Sequence, residues 1–217
     1  MKGSRMLESL YLFLKRQSHR LRAYRAKRKF NVIRLDDTDI AIDCGANVGD
    51  VTAYWSTKSV TVFSFEPNPY AIRVLSDRFK HNTNVHCLEK AVGLKDARGR
   101  LHLHQNANLD QVYWSTGSSM LPFKGNVLED SWVDVEVVDL RRFILNLGRR
   151  VKVMKIDVEG SECEILTGLI EAGVVNMIDY MFVECHDRKI PELRKETQEL
   201  RRLIKKRNLQ HINLDWT

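Results

Sequence analysis

The chain has 217 residues, 43% of them hydrophobic and 29% charged, which suits one globular domain with a sizeable core and excludes a fibrous or low-complexity protein. Its net charge of +7 is concentrated in residues 1–30, where ten Lys or Arg stand against one acid, Glu8, so the remainder is slightly acidic. A body without its own basic stripe does not read as a nucleic-acid surface. In the arm, Leu7, Leu10, Tyr11, Leu14, Leu21 and Tyr24 recur at helical spacing between basic residues, which predicts an amphipathic helix. Its apolar stretch is too short for a bilayer and no small-residue cleavage site follows, so neither a transmembrane span nor a signal peptide is expected. The expected division is a basic helical arm over 1–35 and a domain over 36–217. The arm packs on the domain or, through residues 1–30, lies on an anionic membrane surface. Cys44, Cys87, Cys163 and Cys185 lack paired metal spacing and read as reduced thiols, three of them in or beside strands, in a reducing, cytoplasmic compartment.

Beyond the arm, strand and helix alternate. Strands are predicted over 39–44, 60–66 and 85–91, with helices over 49–57 and 70–81 between them. Such alternation defines an α/β fold with a mostly parallel sheet and helices on both faces. Right-handed crossovers then put the carboxyl ends of the strands on one rim, where ligands bind. The middle breaks the rhythm with an added strand over 100–104, a long polar segment over 105–131 and a strand over 133–138. A segment of that length in a compact domain is usually functional or disordered. A helix over 139–147 follows. The pattern resumes with strand 151–157, helix 162–172, strand 177–184, helix 191–207 and a short strand over 210–214.

The rim residues carry the chemistry. The first strand ends in Asp43-x-Gly45-x-x-x-Gly49, a tight βα turn in which a carboxylate replaces the first glycine of dinucleotide-binding loops. That carboxylate would repel a pyrophosphate and could receive an ammonium. Glu66 stands 17 residues after Gly49, near the position where an acid grips ribose hydroxyls, and is followed by Pro67, Asn68 and Pro69. The third strand ends at Glu89-Lys90-Ala91, where backbone could flank an adenine. The next core strand ends in Lys155-Ile156-Asp157-Val158-Glu159-Gly160-Ser161-Glu162. Here Ser161 is expected to cap the following helix, whereas Asp157 lies before the turn and is not explained by capping. At the last core strand, His186 follows Glu184 and Cys185 at the same rim, where a near-neutral imidazole suits proton transfer.

In order and spacing these four motifs resemble the FkbM family of S-adenosylmethionine-dependent methyltransferases over roughly residues 38–190. The resemblance implies a class I, Rossmann-like methyltransferase fold, with strands inserted between the third and fourth core strands here. It also implies methylation of a hydroxyl oxygen on a sugar, glycan or polyketide-like acceptor. By it, Asp43, Gly45, Asn47 and Gly49 would hold the methionine end of S-adenosylmethionine and Glu66 its ribose. Asn68 and Ala91 would flank the adenosine, and Asp157 would lie between sulfonium and acceptor. Two features fall outside it: the basic arm, and the chain's end where a terminal antiparallel strand would be expected.

A sugar hydroxyl is a poor nucleophile at neutral pH, so a base is required. His186 or Asp157 fills that role, with Glu159 positioning the acceptor. Mg²⁺ held by rim carboxylates is an alternative that the residues do not favour. On the long loop, Trp114 beside Tyr113, and Ser118 beside Ser119, are the candidates for acceptor contact; the aromatics would equally serve to anchor the loop. The competing readings are an RNA or DNA methyltransferase anchored by the arm and a non-catalytic cofactor-binding assembly module. Partners in nucleic acid are disfavoured, and the sequence sets no oligomeric state.

Overall fold

The computed structural model describes residues 20–217. The first helix is seen over residues 20–31 (α1), and the earlier part of the predicted arm lies outside the described residues. Then follow β1 (Ile40–Cys44), α2 (Asp50–Ser56), β2 (Thr61–Phe65), α3 (Pro69–Phe79) and β3 (Val85–Leu88). The middle contains β4 (Ala91–Gly93), β5 (Ala97–His104), a 3₁₀ turn at Tyr113–Gly117, β6 (Val127–Asp139) and α4 (Leu140–Asn146). The last third contains β7 (Val151–Ile156), α5 (Glu162–Glu171), β8 (Ile178–Val183), α6 (Arg194–Lys206) and β9 (Ile212–Asn213).

Six strands form one sheet in the order β3-β2-β1-β7-β8-β9, every pair parallel. β9 pairs directly with β8, Met181 opposite Ile212, so among the described residues this sheet has no antiparallel strand. Period-two alternation sends successive side chains to opposite faces. Ile40, Ile42, Cys44, Met154, Ile156, Met181 and Val183 join the apolar layer beneath α4, α5 and α6. Ala41, Val62, Val153 and Phe182 join a second layer with Trp55, Ile72, Leu75 and Phe79 from α2 and α3. All five β1 residues are buried, as expected of a parallel strand covered on both faces.

Ala26 and Phe30 of α1 are buried in the body, Phe30 against Trp55, Phe182 and Trp216. The expected boundary at residue 35 is therefore not a break in packing. The predicted strand 85–91 is also two elements: β3 leaves the main sheet after Leu88, and β4 begins a second, three-stranded sheet in the order β4-β6-β5. An apolar residue looks the same in sequence whichever sheet it joins.

Gly45 and Gly49 both have positive φ, +78° and +90°, which glycine alone adopts without strain. A Cβ on Gly45 would fall 1.8 Å from the carbonyl oxygen of Asp157, whereas on Gly49 it would meet side-chain ends of Leu75 and Phe79 at 2.4 and 2.8 Å. These glycines thus serve the packing of strand tip on strand tip and turn on helix. Gly45→Ala should lower the urea midpoint much more than Gly49→Ala, because a backbone carbonyl cannot swing aside. Equal losses in the two variants would contradict this account.

Candidate active site

The rim of the main sheet opens into a cleft of about 700 Å³, a volume that includes open solvent at its mouth. Gly45 and Asn47 from the first turn, Glu66 and Pro67 from the second, Lys90 to Val92 after β3, and Asp157 to Glu159 after β7 line it. Leu101 and Met120 add apolar surface, and Ser115, Thr116 and Ser118 close one side.

Glu66 is 6% exposed, and its two oxygens accept the backbone N–H groups of Asn47 and Asn68, each at 2.8 Å. Burial pushes its carboxyl up to about 7 against the pull of those two bonds. Asn68 caps α3 through Oδ1, which accepts from Tyr70 N at 3.0 Å, while its Nδ2 donates to Ser118 Oγ at 3.2 Å. Asn47 Nδ2 donates to Ser115 Oγ at 2.8 Å. The two asparagines expected at the cofactor therefore also tie down the inserted loop. Asn68 itself is buried behind the cleft wall.

Asp43 does not reach the cleft. It is fully buried; Oδ2 accepts from Thr52 Oγ1 at 2.8 Å, and Oδ1 lies 3.4 Å from Lys155 Nζ. The ammonium it receives belongs to its own chain, because β1 and β7 pair with Asp43 directly opposite Lys155. Lys155 Nζ also donates to Gly45 O at 2.6 Å and lies 3.3 Å from Asp157 Oδ2. Burial disfavours its charge, but Asp43 and Asp157 outweigh that and hold the ammonium above its usual range. Gly49 likewise packs on α3 away from the cleft wall.

At the other end, Asp157 faces the cleft with a quarter of its side chain exposed. Glu159 also faces it, with φ +60°; its Oε2 pairs with Lys124 Nζ at 2.6 Å, and its carbonyl accepts from Ser119 Oγ at 2.7 Å. Burial would raise the Glu159 carboxyl, yet His186 and Lys124 prevail and bring it to about 2. His186 is 1% exposed and is not part of the cleft wall. Its Nδ1 lies 2.9 Å from Glu162 Oε1. Burial opposes its charge, but Glu159 and Glu162 push its pKa up to about 10.

Two further expectations are corrected. Ser161 makes no side-chain cap bond; Glu162 Oε1 instead accepts Val158 N and Gly160 N, both at 3.0 Å. Trp114 does not line the cleft: its indole stacks on His104 with centroids 4.4 Å apart, so it anchors the loop. Ser118 does line the cleft. Sequence reasoning missed the tethers Lys155, Lys124 and Ser115, whose partners lie 35 to 110 residues away along the chain.

A parallel sheet covered on both faces, with one ligand cleft at its carboxyl rim, is the Rossmann-like architecture of class I methyltransferases. The methyltransferase FkbM domain matches residues 43–210, and the chain belongs to this family of methyltransferases. It is 28% identical over 175 residues to Methyltransferase 1 of Beauveria bassiana, covering 74% of this chain and 70% of that protein. It is 26% identical over 161 residues to hexuronic acid methyltransferase AglP of Haloferax volcanii, covering 72% of this chain and 62% of AglP. The crystal structure of methyltransferase FkbM from Methylobacillus flagellatus superposes with a TM-score of 0.51 at 16% identity, over 81% of this chain and 39% of that one. That last likeness speaks to the fold. Among the described residues no helix is long and apolar enough to cross a membrane.

Removing Lys155 leaves Asp43 buried and unpaired, a change that typically costs about 3–5 kcal/mol. Lys155→Met should therefore lower the denaturation midpoint sharply, and adding Asp43→Asn should recover part of the loss. A double variant no better than the single one would show that Lys155 acts otherwise.

Proposed function

We propose that the chain is an S-adenosylmethionine-dependent O-methyltransferase acting on a hydroxyl of a sugar or glycan acceptor, with a uronic acid unit the first to test. The observation that carries this reading is a single cleft with Glu66 and an apolar wall at one end and Asp157 and Glu159 at the other. The hexuronic acid activity named for AglP supports the choice of acceptor.

The residues suit the cofactor. Phe65, Ala91, Val92, Leu101 and Met120 offer an apolar wall for adenine. Glu66, fixed by two backbone donors, retains lone pairs for a ribose diol. Gly45 and Asn47 bring backbone to the methionine end. When bound, S-adenosylmethionine supplies an electrophilic methyl group. The chain must then align an acceptor oxygen behind that methyl, and alignment of two bound reactants can contribute about 7–11 kcal/mol. Asp157, the carboxylate of the β7 tip within the cleft, meets the acceptor hydroxyl and accepts its proton, a contribution of about 10²–10⁴-fold. Glu159, pinned by Lys124, positions the acceptor. His186 acts from behind these carboxylates. The loop over residues 113–118, tied down through Ser115 and Ser118, limits water at the reacting atoms.

The direct test is incubation of the purified chain with labelled S-adenosylmethionine and glucuronic acid-containing oligosaccharides. Label in an ether methyl and release of S-adenosylhomocysteine are expected; cofactor binding without turnover on a broad panel of hydroxylated acceptors would overturn the reading. Asp157→Asn should reduce turnover by about 10²–10⁴-fold with cofactor affinity nearly unchanged; equal activity would move the base elsewhere. The ribose diol needs the ionised form of Glu66, so affinity is full above its pKa and lost as pH falls through it. With that pKa about 7, calorimetry should show affinity rising about tenfold between pH 6 and 8. The same titration on Glu66→Gln should be weaker and flat. A wild-type affinity independent of pH would remove Glu66 from the ribose.

A further inference from the structure

Away from the cleft, α5 and α6 pack against each other and leave between them a groove of about 1100 Å³, a volume that includes open solvent. Leu94, Leu200 and Leu203 give it an apolar floor, while Glu164 and Glu171 of α5 and Glu196 and Glu199 of α6 form its walls. All four glutamates are exposed, and none forms an ion pair with another described residue. Glu196 and Glu199 stand three positions apart on one helix and repel each other. The groove thus gathers negative charge that the described part of the chain leaves uncompensated. An apolar floor between acidic walls is the counterpart of a helix with an apolar stripe and basic flanks.

The sequence supplies such a segment before α1. Leu7, Leu10, Tyr11 and Leu14 stand at i, i+3, i+4 and i+7, with Lys2 and Arg5 on one flank, Lys15 on the other and Glu8 the one acid among residues 1–19. Leu7 to Leu14 covers the same seven positions as Glu164 to Glu171 and Glu196 to Leu203, so stripe and groove match at about 10 Å. The point where the segment joins the described structure also suits. Arg22, early in α1, lies 3.9 Å from Asp215, and Arg201 of α6 meets the same carboxylate at 3.4 Å. The segment therefore reaches the domain beside α6, one helix away from the groove. Residues 16–19 fully extended span at most about 14 Å, enough to pass a helix about 10–12 Å across.

We propose that the basic amphipathic segment over residues 2–15 docks in the α5–α6 groove of its own chain, its apolar stripe on Leu200 and Leu203 and its cations against the four glutamates. The groove then serves as an internal docking surface, and the segment's charge is met by the domain itself. This docking is independent of the methyl-transfer reading above.

The test uses the full chain and a carbodiimide, which joins a lysine amine to a carboxylate in direct contact and adds no spacer. Peptide mapping should find Lys2 or Lys15 linked to Glu164, Glu171, Glu196 or Glu199. In the double variant Glu196→Lys, Glu199→Lys those links should be lost. Amide hydrogen exchange over residues 5–15 should then speed up by about tenfold or more, while β1 and β7 stay as protected as in the wild type. Both replaced side chains are exposed, so the variant should fold. No such link in the wild type, or equal exchange over residues 5–15 in the two proteins, overturns the proposal. Links that join isotope-labelled to unlabelled chains in a mixed sample also overturn it and assign the groove to a second copy. Exchange over residues 5–15 that slows only when phosphatidylserine vesicles are added overturns it in favour of a membrane surface.

Discussion

The cleft depends on one buried ammonium. Lys155 reaches across the β1–β7 pair to Asp43, to the carbonyl of Gly45 and to Asp157. It thereby joins the loop proposed for the cofactor to the carboxylate proposed for the acceptor. Asp43 is not tolerable as a charge in that interior without Lys155, the cation that offsets its desolvation. Gly45 must lack a side chain for a steric reason, because the backbone carbonyl of Asp157 comes up against it. The two halves of the proposed reaction are thus held at a fixed separation by strand pairing and charge.

The second organising element is the inserted loop. A long polar segment between strands reads as flexible, yet here it is stitched to three parts of the rim. Ser115 meets Asn47, Ser118 meets Asn68, and Lys124 bridges Gly117 O to Glu159. Ser119 also exchanges backbone bonds with His102 on β5. The loop and the three-stranded sheet behind it form a wall of the cleft. That wall faces the same cleft as Asp157 and Glu159.

Much of this was legible in the sequence because it depends on local spacing. The strand–helix alternation, the two glycines of the first turn and the acid before Pro67 place the main sheet, the tight turn and Glu66. Asp157 and Glu159 were legible as carboxylates at a strand tip. What stayed hidden depends on register. Asp43 at a strand end looks identical whether it faces a ligand or a neighbouring strand, and only the pairing of β1 with β7 reveals Lys155 as its partner. The step from β3 to β4 leaves no mark in the hydrophobic pattern. Trp114 has the chemistry of a sugar platform, but its face is covered by His104, a neighbour that no short-range rule connects to it.

The aromatic nest around Phe30 bears on how the basic N-terminal segment can act. Phe30 is clasped by Tyr54, Trp55, Phe182 and Trp216, and Ala26 one turn earlier is sealed from solvent. The exposed Arg22, Arg25, Lys27, Arg28 and Lys29 of α1 are therefore carried on a helix rooted beside β8, so any surface that met them would meet the domain in a set orientation.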